Sequence, residues 1–365
     1  MRAAICGAGN WGTRLIESVE GSAKVRFVSA VTRDPAAAAP LAKRFGLALT
    51  SSYAEVLADP SIDAVVLATP HSRHAVEVVA AAKAGKHVFV EKPFTLTRAS
   101  AEEAVEACRR AGVTLAVGFN RRYAPSYADM ARRIAAGEIG RLRHLEGHFS
   151  GPASYQTAPG NWRSNQVESP GGSMTARGVH VLDAMVHLAG LATEVSAVSA
   201  RLQHEIDVDD TTALLLRFAS GATGVLATLH AAPRFYRIHA FGSQGALELR
   251  GDTELELSDL EGNVRRFTFG AVDKERAELE AFADAAAGGV KFVISAKEII
   301  NVVAGTEAAV ASAAGGKAVA IPEGRATCAA ARFSSAHRRA PPRSRSGAPG
   351  STSTSGAARP SPVPG

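Results

Sequence analysis

Short apolar runs alternate with amphipathic stretches through the first third of the chain. Gly46, Gly85 and Gly112 directly follow three of the amphipathic stretches, where a left-handed cap residue ends a helix. Alternation of this kind predicts βαβ units, and hence an α/β domain with a doubly wound parallel sheet over residues 1–120. The predicted strands are 2–6, 25–31, 64–68, 87–90 and 114–118, and the predicted helices are 11–20, 35–45, 53–58, 74–84 and 98–111.

The pattern changes after residue 120. Strand-like runs follow one another, separated by turn residues such as Ser220-Gly221 and Glu261-Gly262-Asn263. Residues 121–322 are therefore predicted to form an α+β domain with an open, mostly antiparallel sheet. Its predicted strands are 143–149, 195–202, 211–218, 223–230, 236–241, 246–250 and 264–269, and its predicted helices are 125–136, 175–188, 273–287 and 295–314.

The positive charge of the chain is concentrated at its C-terminal end. The 365 residues include 41 Lys and Arg and 35 Asp and Glu, a net charge of +6. Seven arginines and no acid lie in 325–365, and without them the net charge is −1. The rest of the protein is therefore not expected to bind nucleic acid. The composition of 323–365 predicts a disordered basic low-complexity tail, and a functional basic tail is the alternative.

Other compositional features narrow the protein class. No apolar stretch reaches the ~18 residues of a membrane-spanning helix, and residues 1–12 lack the features of a secretory signal. The three cysteines, Cys6, Cys108 and Cys328, match no metal-binding spacing. We therefore expect a cytoplasmic protein with no membrane contact and no metal site.

A glycine-rich loop, Gly7-Ala8-Gly9-Asn10-Trp11-Gly12, joins the first predicted strand to the first predicted helix, as a dinucleotide-binding fingerprint requires. Gly7 permits the tight turn, Gly9 lets backbone amides approach a pyrophosphate, and Gly12 allows close packing of helix on strand. The helix N-terminus offers N–H donors to the phosphates. We expect a Rossmann domain; a glycine-rich turn without a ligand is the alternative. The expected cofactor-binding residues are Gly7, Gly9, Asn10, Trp11 and Gly12.

The residues about 20 positions after the loop indicate which dinucleotide binds, because an acid there bonds the ribose 2'-hydroxyl whereas an arginine accommodates a 2'-phosphate. The chain has Thr32 followed by Arg33. We therefore expect Thr32 and Arg33 to contact the cofactor, and NADP to be favoured over NAD. Asp34 would serve NAD if the strand ended later.

Polar clusters follow three consecutive predicted strands. The carboxyl ends of parallel strands meet at one edge of a sheet, where ligands bind. We expect Arg121 to contact substrate and the other members to contact the cofactor; a solvated loop is the alternative for each cluster. The clusters are Thr69, Pro70, His71 and His74 after the first strand, Glu91 and Lys92 after the second, and Asn120 and Arg121 after the third.

Lys92 is the strongest candidate for proton transfer. Pro93 biases the backbone of the residue before it toward an extended conformation, which keeps Lys92 from beginning a helix. In a partly dry site, near the positive charge of an oxidised nicotinamide, a lysine has a depressed pKa. Such a lysine can donate or accept a proton near neutral pH.

These motifs and several later ones together resemble the glucose-fructose oxidoreductase and inositol dehydrogenase family (Gfo/Idh/MocA) over residues 1–322. Glu91-Lys92-Pro93 is the most specific of them. The resemblance implies a Rossmann domain joined to an α/β domain whose open sheet often mediates oligomerisation, so we expect a homodimer or homotetramer. It also implies hydride exchange between NAD(P) and a carbon of a sugar or cyclitol substrate. The later motifs are 117–122, 137–140, 171–172 and 178–183.

The resemblance also assigns roles within the site. Lys92 resembles the family's catalytic lysine, which contacts the cofactor and the reacting hydroxyl, and Glu91 resembles its ribose-side neighbour. His180 resembles the histidine that shares proton transfer and contacts substrate. Asp183 lies on the same helix face and is expected to orient the His180 imidazole. Many family members carry an aspartate four residues before this histidine, where the present chain has Ala176.

The loop 155–168 is a candidate wall of the substrate site. Tyr155 and Trp162 have side chains that stack on a sugar face, and Arg163 offers a cation; ordinary packing is the alternative.

Three functions follow from the candidate residues of the site. The first is an NAD(P)-dependent dehydrogenase of a polyol or sugar. The departure at Ala176 leaves open a dinucleotide-sensing protein without turnover, and a lyase or glycosidase with tightly held NAD is the third.

Overall fold

The computed structural model describes residues 1–157, 160–203 and 206–322. The early apolar runs form six parallel strands: β1 (Arg2–Cys6), β2 (Arg26–Val31), β3 (Ala48–Thr50), β4 (Ala64–Leu67), β5 (His87–Glu91) and β6 (Leu115–Gly118). Their order in the sheet is β3-β2-β1-β4-β5-β6. The strand order reverses between β1 and β4, the switch point at which open α/β sheets bind ligands.

Helices connect these strands and cover both faces of the sheet, so β4 is buried along its whole length. The Asp34 carboxylate caps α2 by accepting a hydrogen bond from the Ala37 amide at 3.0 Å. Gly46 and Gly112 take the left-handed conformation that ends α2 and α5. The connecting helices are α1 (Asn10–Ser18), α2 (Pro35–Phe45), α3 (Tyr53–Ala58), α4 (His74–Lys83) and α5 (Arg98–Ala111).

A second sheet follows, with nine strands among the described residues. They are β7 (Leu142–Ser150), β8 (Ala192–Ala200), β9 (Thr211–Phe218), β10 (Thr223–Leu229), β11 (Phe235–Gly242), β12 (Gly245–Arg250), β13 (Glu254–Asp259), β14 (Val264–Thr268) and β15 (Val319–Ala320). Their order is β14-β13-β12-β11-β7-β10-β9-β8-β15. Only β7 and β10 pair in parallel. The predicted fold class, a parallel Rossmann sheet followed by an open and mostly antiparallel sheet, is confirmed.

The later helices are α6 (Pro125–Ala135), α7 (Val179–Ala189), α8 (Lys274–Ala286) and α9 (Ala296–Gly315). A π-helical turn, Met174–Gly178, precedes α7, where the sequence predicts one continuous helix. Helix α8 packs on the first sheet although it lies late in the chain. Its Phe282 ring lies 5.8 Å from that of Phe89, and Leu279 joins the same buried cluster. This apolar face brings α8 to the edge of the first sheet where the strand-end loops lie.

Three strands were absent from the sequence prediction: β3, β13 and β15. The first and last have three and two residues, too few to display a period of two. In the part of the chain that the structure describes, no helix is long and apolar enough to cross a bilayer. Residues 323–365, for which the sequence predicts a disordered basic tail, lie outside the described residues.

Candidate active site

The glycine loop has the backbone that a nucleotide-binding turn needs. Gly7 has φ of +99°, and a Cβ there would lie 2.5 Å from the Ala68 carbonyl oxygen. A Cβ at Gly12 would lie 2.0 Å from the Gly7 oxygen, so only glycine lets α1 begin this close to β1. In contrast, nothing lies within 4 Å of a Cβ built on Gly9, and no side chain caps α1 there. Open space beside uncapped N–H donors fits the phosphates of a dinucleotide.

The segment after β2 bears on the choice of dinucleotide. Thr32 is half-buried and Arg33 is exposed. The Thr32 hydroxyl accepts a hydrogen bond from the Asp34 amide at 3.2 Å, while the Asp34 carboxylate is engaged at the N-terminus of α2. The nearest acid to the predicted ribose position is therefore occupied by helix capping.

The loops after β4 and β5 are joined by His74. This histidine is fully buried, and its two ring nitrogens face the carbonyl oxygens of Thr69 at 3.0 Å and Pro93 at 2.9 Å. Burial lowers its pKa. The Thr69 hydroxyl donates to the Glu77 carboxylate at 2.5 Å. His74 therefore holds the two strand-end loops against each other, and both its nitrogens are taken up within the fold.

His71 connects the first sheet to the loop 155–168. Its Nδ1 lies 2.6 Å from the Glu168 carbonyl oxygen, and its ring meets the Trp162 indole edge-on at 4.8 Å. The Ser72 amide donates to the Glu168 carboxylate at 3.0 Å. Arg163 stacks over Trp162 at 3.9 Å. These contacts place Trp162 and Arg163 at the rim of the strand ends, whereas Tyr155 of the same loop is 66% exposed.

Lys92 and Glu91 meet at the end of β5. The Lys92 ammonium donates to the Ala176 carbonyl oxygen at 3.2 Å. Burial lowers the pKa of Lys92 to about 8, although the neighbouring Glu91 carboxylate opposes the shift. The Glu91 carboxyl is itself buried, and burial raises its pKa to about 7 while Lys92 and the Trp11 indole oppose that shift. Glu91 and Lys92 thus stand side by side, and burial shifts the pKa of each toward neutral pH.

His180 lies in the first turn of α7 and is 6% exposed. Its ring packs against Phe119 and Phe149, with ring centres 6.0 and 5.9 Å apart. Among the described residues its Nδ1 has no hydrogen-bond partner. Burial lowers the pKa of His180 well below its usual value, and the positive charges of Lys92 and Arg121 add to the effect. The imidazole is therefore neutral near pH 7 and has a ring nitrogen to offer.

Asp183 has a different partner from the one expected. Its two carboxylate oxygens accept bidentate hydrogen bonds from the Arg122 guanidinium at 2.7 and 2.8 Å. Glu298 of α9 accepts from the same guanidinium at 3.1 Å. The expectation that Asp183 orients the His180 ring is not met, because Arg122 occupies the carboxylate. Helical spacing places Asp183 and His180 on one face but does not reveal an arginine that another loop brings in.

One cavity of about 410 Å³ collects most of the predicted residues at the ends of β4, β5 and β6. The Asn120 amide nitrogen donates to Glu275 at 2.7 Å, and Arg121 pairs with Asp252 at 2.6 Å. Tyr155 and Trp162 do not line this cavity. The predicted residues that do are Trp11, Thr69, His71, His74, Glu91, Lys92, Asn120, Arg121, Arg163 and His180.

Three further charged residues of the cavity, Arg177, Lys274 and Glu275, were not predicted from the sequence. Arg177 lies in the π-helical turn before α7, and Lys274 and Glu275 come from the start of α8. Arg177 stands three residues before His180, and this helical spacing indicates that the two side chains lie on the same side of the helix. No local pattern pointed to Lys274 and Glu275, because α8 reaches the site only through its packing on the first sheet.

Comparison with known families explains this arrangement. Residues 1–119 match the model of an oxidoreductase family with an NAD-binding Rossmann fold, and residues 127–248 match the GFO/IDH/MocA C-terminal domain. The chain belongs to the Gfo/Idh/MocA family. It is therefore an oxidoreductase with an NAD-binding fold, as the sequence predicts. The strand-end cavity lies where the Rossmann sheet of this family member meets its second sheet.

Characterised relatives of this family member are dehydrogenases. The scyllo-inositol 2-dehydrogenase (NAD(+)) of Bacillus subtilis (strain 168) is 34% identical over 264 residues, which cover 68% of this chain and 73% of the relative. The inositol 2-dehydrogenase of Rhizobium meliloti (strain 1021) is 28% identical, covering 88% and 99%. Among solved structures, levoglucosan dehydrogenase in complex with NADH and levoglucosan matches with a TM-score of 0.82 and 25% identity, covering 88% of this chain and 99% of that one.

Proposed function

We propose that this family member transfers hydride between a nicotinamide dinucleotide and a secondary hydroxyl or ketone of a sugar- or cyclitol-like substrate. Lys92 and His180 move the proton. One observation carries the proposal: Lys92 and His180 line a single cavity that Trp11 of the glycine loop also lines. The inositol and levoglucosan dehydrogenases among its relatives support the substrate class.

The residues around the glycine loop fit the cofactor. The backbone N–H groups of Gly9 and Asn10 would donate hydrogen bonds to the pyrophosphate. Gly7 and Gly12 allow the tight turn that exposes these N–H groups. When bound, the nicotinamide accepts or supplies the hydride. The remaining residues that we propose to contact it are Trp11, Thr32, Arg33, Thr69, Pro70, His71, Glu91, Lys92 and Asn120. His74 acts from behind them by fixing the loops after β4 and β5.

Proton movement follows from the charges in the cavity. Oxidation of an alcohol releases the hydroxyl proton, and a lysine with a pKa of about 8 accepts it near neutral pH. The neutral His180 imidazole, which lines the same cavity, shares in moving this proton. Arg121 and Arg163 bind the rest of the substrate, Trp162 supports Arg163 by packing under its guanidinium, and Tyr155 contributes only from the exposed rim. Asp183 acts as a positioning residue that fixes α7 through Arg122.

We further propose that NADP is preferred over NAD. Arg33 is exposed directly after β2 and has a guanidinium suited to a 2'-phosphate. Asp34 caps α2, which leaves it poorly disposed to bond a ribose 2'-hydroxyl. Because the scyllo-inositol 2-dehydrogenase of Bacillus subtilis is named for NAD(+), the affinities of this enzyme for NADP and NAD must both be measured.

The domain organisation forms part of the proposal. Residues 1–120 bind the dinucleotide, and residues 121–322 bind substrate and mediate assembly into a homodimer or homotetramer. The outer face of the second sheet supports the assembly, because Val198 and Leu215 on it are 73% and 62% exposed. Helix α8 returns to the first sheet and completes the cavity with Glu275.

The substitution Lys92→Ala tests the proposed proton transfer. We expect turnover to fall ~100- to 10,000-fold while dinucleotide binding is retained, because general acid–base help has this magnitude. In the unaltered enzyme, kcat/KM for alcohol oxidation should rise with pH and level off near pH 8, since the neutral amine is the base. The variant should lose this rise. Nicotinamide absorbance across a polyol panel measures turnover, and fluorescence titration measures binding.

Lys83→Ala, at an exposed position of α4, is the control and should behave like the unaltered enzyme. Full activity of Lys92→Ala would reject the role given to Lys92. Tight dinucleotide binding without turnover of any polyol by the unaltered enzyme would favour the sensing function. Substrate conversion without net change in nicotinamide absorbance would favour the lyase or glycosidase function.

A further inference from the structure

The cavity has more cationic than anionic side chains. Among the described residues its carboxyl groups come from Glu91 and Glu275. Glu275 is already paired with Arg14 at 2.8 Å, and the raised pKa of Glu91 reduces its negative charge near neutral pH. The cations that line the cavity are Lys92, Arg121, Arg163, Arg177 and Lys274.

Two of these cations share one counter-charge. One oxygen of the Asp252 carboxylate pairs with the Arg121 guanidinium at 2.6 Å, and the other pairs with the Lys274 ammonium at 2.6 Å. One negative charge thus balances two positive charges on this side of the cavity. The positive excess persists after the ion pairs among the described residues are taken into account.

Arg177 has no acidic partner in the described part of the chain. Its guanidinium lies 5.3 Å from the centre of the Phe149 ring and against Gly151, where a Cβ would stand 2.6 Å from Nη2. Its Nε is buried without a hydrogen-bond partner. A guanidinium held this way is costly unless an anion pairs with it. Nearby Arg121 and Arg234 add repulsion, and burial and these charges lower the pKa of Arg177.

The position of Arg177 separates it from the phosphates of the cofactor. Its contacts, Phe149 and Gly151, belong to the end of β7 in the second sheet, whereas the glycine loop belongs to the first sheet. Arg177 also follows Ala176, whose carbonyl oxygen accepts the Lys92 ammonium. An anion bound at Arg177 would therefore lie on the substrate side of Lys92.

We propose that the substrate carries an anionic oxygen group, a carboxylate or a phosphate ester, which Arg177 binds next to the hydroxyl served by Lys92. Arg163 assists from the rim of the cavity. The planar guanidinium fork matches both groups and forms paired, charge-assisted hydrogen bonds with either. The inference rests on the proposed function for the identity of the cavity as a substrate site. It narrows the substrate from neutral polyols to sugar or cyclitol acids and phosphates.

Direct binding tests this inference without relying on turnover. The full chain, saturated with NADPH or NADH, is titrated calorimetrically with D-glucose, D-glucuronate and glucose 6-phosphate. We expect at least one of the two anions to bind about 10- to 100-fold more tightly than D-glucose, the range of a hydrogen bond to a charged group. Arg177→Met should remove this preference, and Arg177→Lys should retain part of it. Arg143→Met, at an exposed arginine of β7, is the control and should leave the preference intact.

Preference for glucuronate alone identifies a carboxylate, and preference for glucose 6-phosphate alone identifies a phosphate ester. Equal or tighter binding of D-glucose overturns the inference, as does an anion preference that survives Arg177→Met. Absence of saturable binding by both anions also overturns it. Anion binding through Arg177 without oxidation of any sugar would contradict the proposed function and leave only an anion-binding site at Arg177, so the two failures are distinguishable.

Discussion

Two arginines beside the same helix show how differently the fold treats a positive charge. The Arg122 side chain is 1% exposed and meets Asp183 and Glu298 in a closed set of ion pairs. Arg177, one turn before His180, faces the cavity and has no carboxylate partner among the described residues. The fold neutralises the first charge, and we propose that a bound anion pairs with the second. Pairing alone does not separate architecture from binding, because Arg121 meets Asp252 and still lines the cavity. What distinguishes Arg177 is that it lines the cavity without a carboxylate partner among the described residues.

The largest expected effect tests the closed pair. Arg122→Met leaves the fully buried Asp183 carboxylate without its bidentate partner, so we expect the free energy of unfolding to fall by about 3–5 kcal/mol. Urea unfolding followed by circular dichroism measures the change. The double variant Arg122→Met/Asp183→Leu should recover much of the loss, because it removes the fully buried carboxylate while Glu298 keeps its hydrogen bonds from Ser295. A single variant as stable as the unaltered protein would remove the architectural role of Arg122.

A third arginine, Arg33, sharpens the comparison because it is exposed and we propose that it binds the cofactor. We expect Arg33→Ala to lower the preference for NADPH over NADH about 10-fold, since one charge-assisted contact to a 2'-phosphate is lost. Fluorescence titration with both dinucleotides measures the ratio. Arg26→Ala, at the exposed start of β2, should leave the ratio unchanged. An unaltered ratio in Arg33→Ala would refute the NADP assignment.

The smallest expected effect is that of Arg177→Met, and it tests most directly whether the fold treats Arg177 and Arg122 differently. Arg177→Met removes a half-buried cation that has no acidic partner among the described residues, so the free energy of unfolding without ligand should change by less than ~1 kcal/mol or rise slightly. The same urea experiment that detects the loss in Arg122→Met applies. A fall of several kcal/mol would mean that Arg177 is held by the fold like Arg122, and the distinction between the two arginines would disappear.

Much of the site was predictable because its signals are local. The glycine loop and Lys92 before Pro93 each stand at a strand end that follows from periodicity, whereas His180 was chosen from the family resemblance. The Asp183 prediction failed because helical spacing reports a shared face and not the partner that packs on it. Tyr155 and Trp162 were chosen for residue type alone, and the fold keeps both out of the cavity lining. Lys274 and Glu275 could be placed only by contacts between distant segments, because α8 reaches the site through its packing on the first sheet.

The sequence by itself determined the alternation of strands and helices, the turn at Gly7 and the lysine at the end of β5. These depend on side-chain period and on the backbone freedom of single residues, which act over a few positions. Only the tertiary structure decided which acid each cation meets. Arg122 reaches Asp183 across 61 residues, and Asn120 reaches Glu275 across 155. Ion pairing depends on distances of a few ångströms between side chains, and chain folding alone sets those distances.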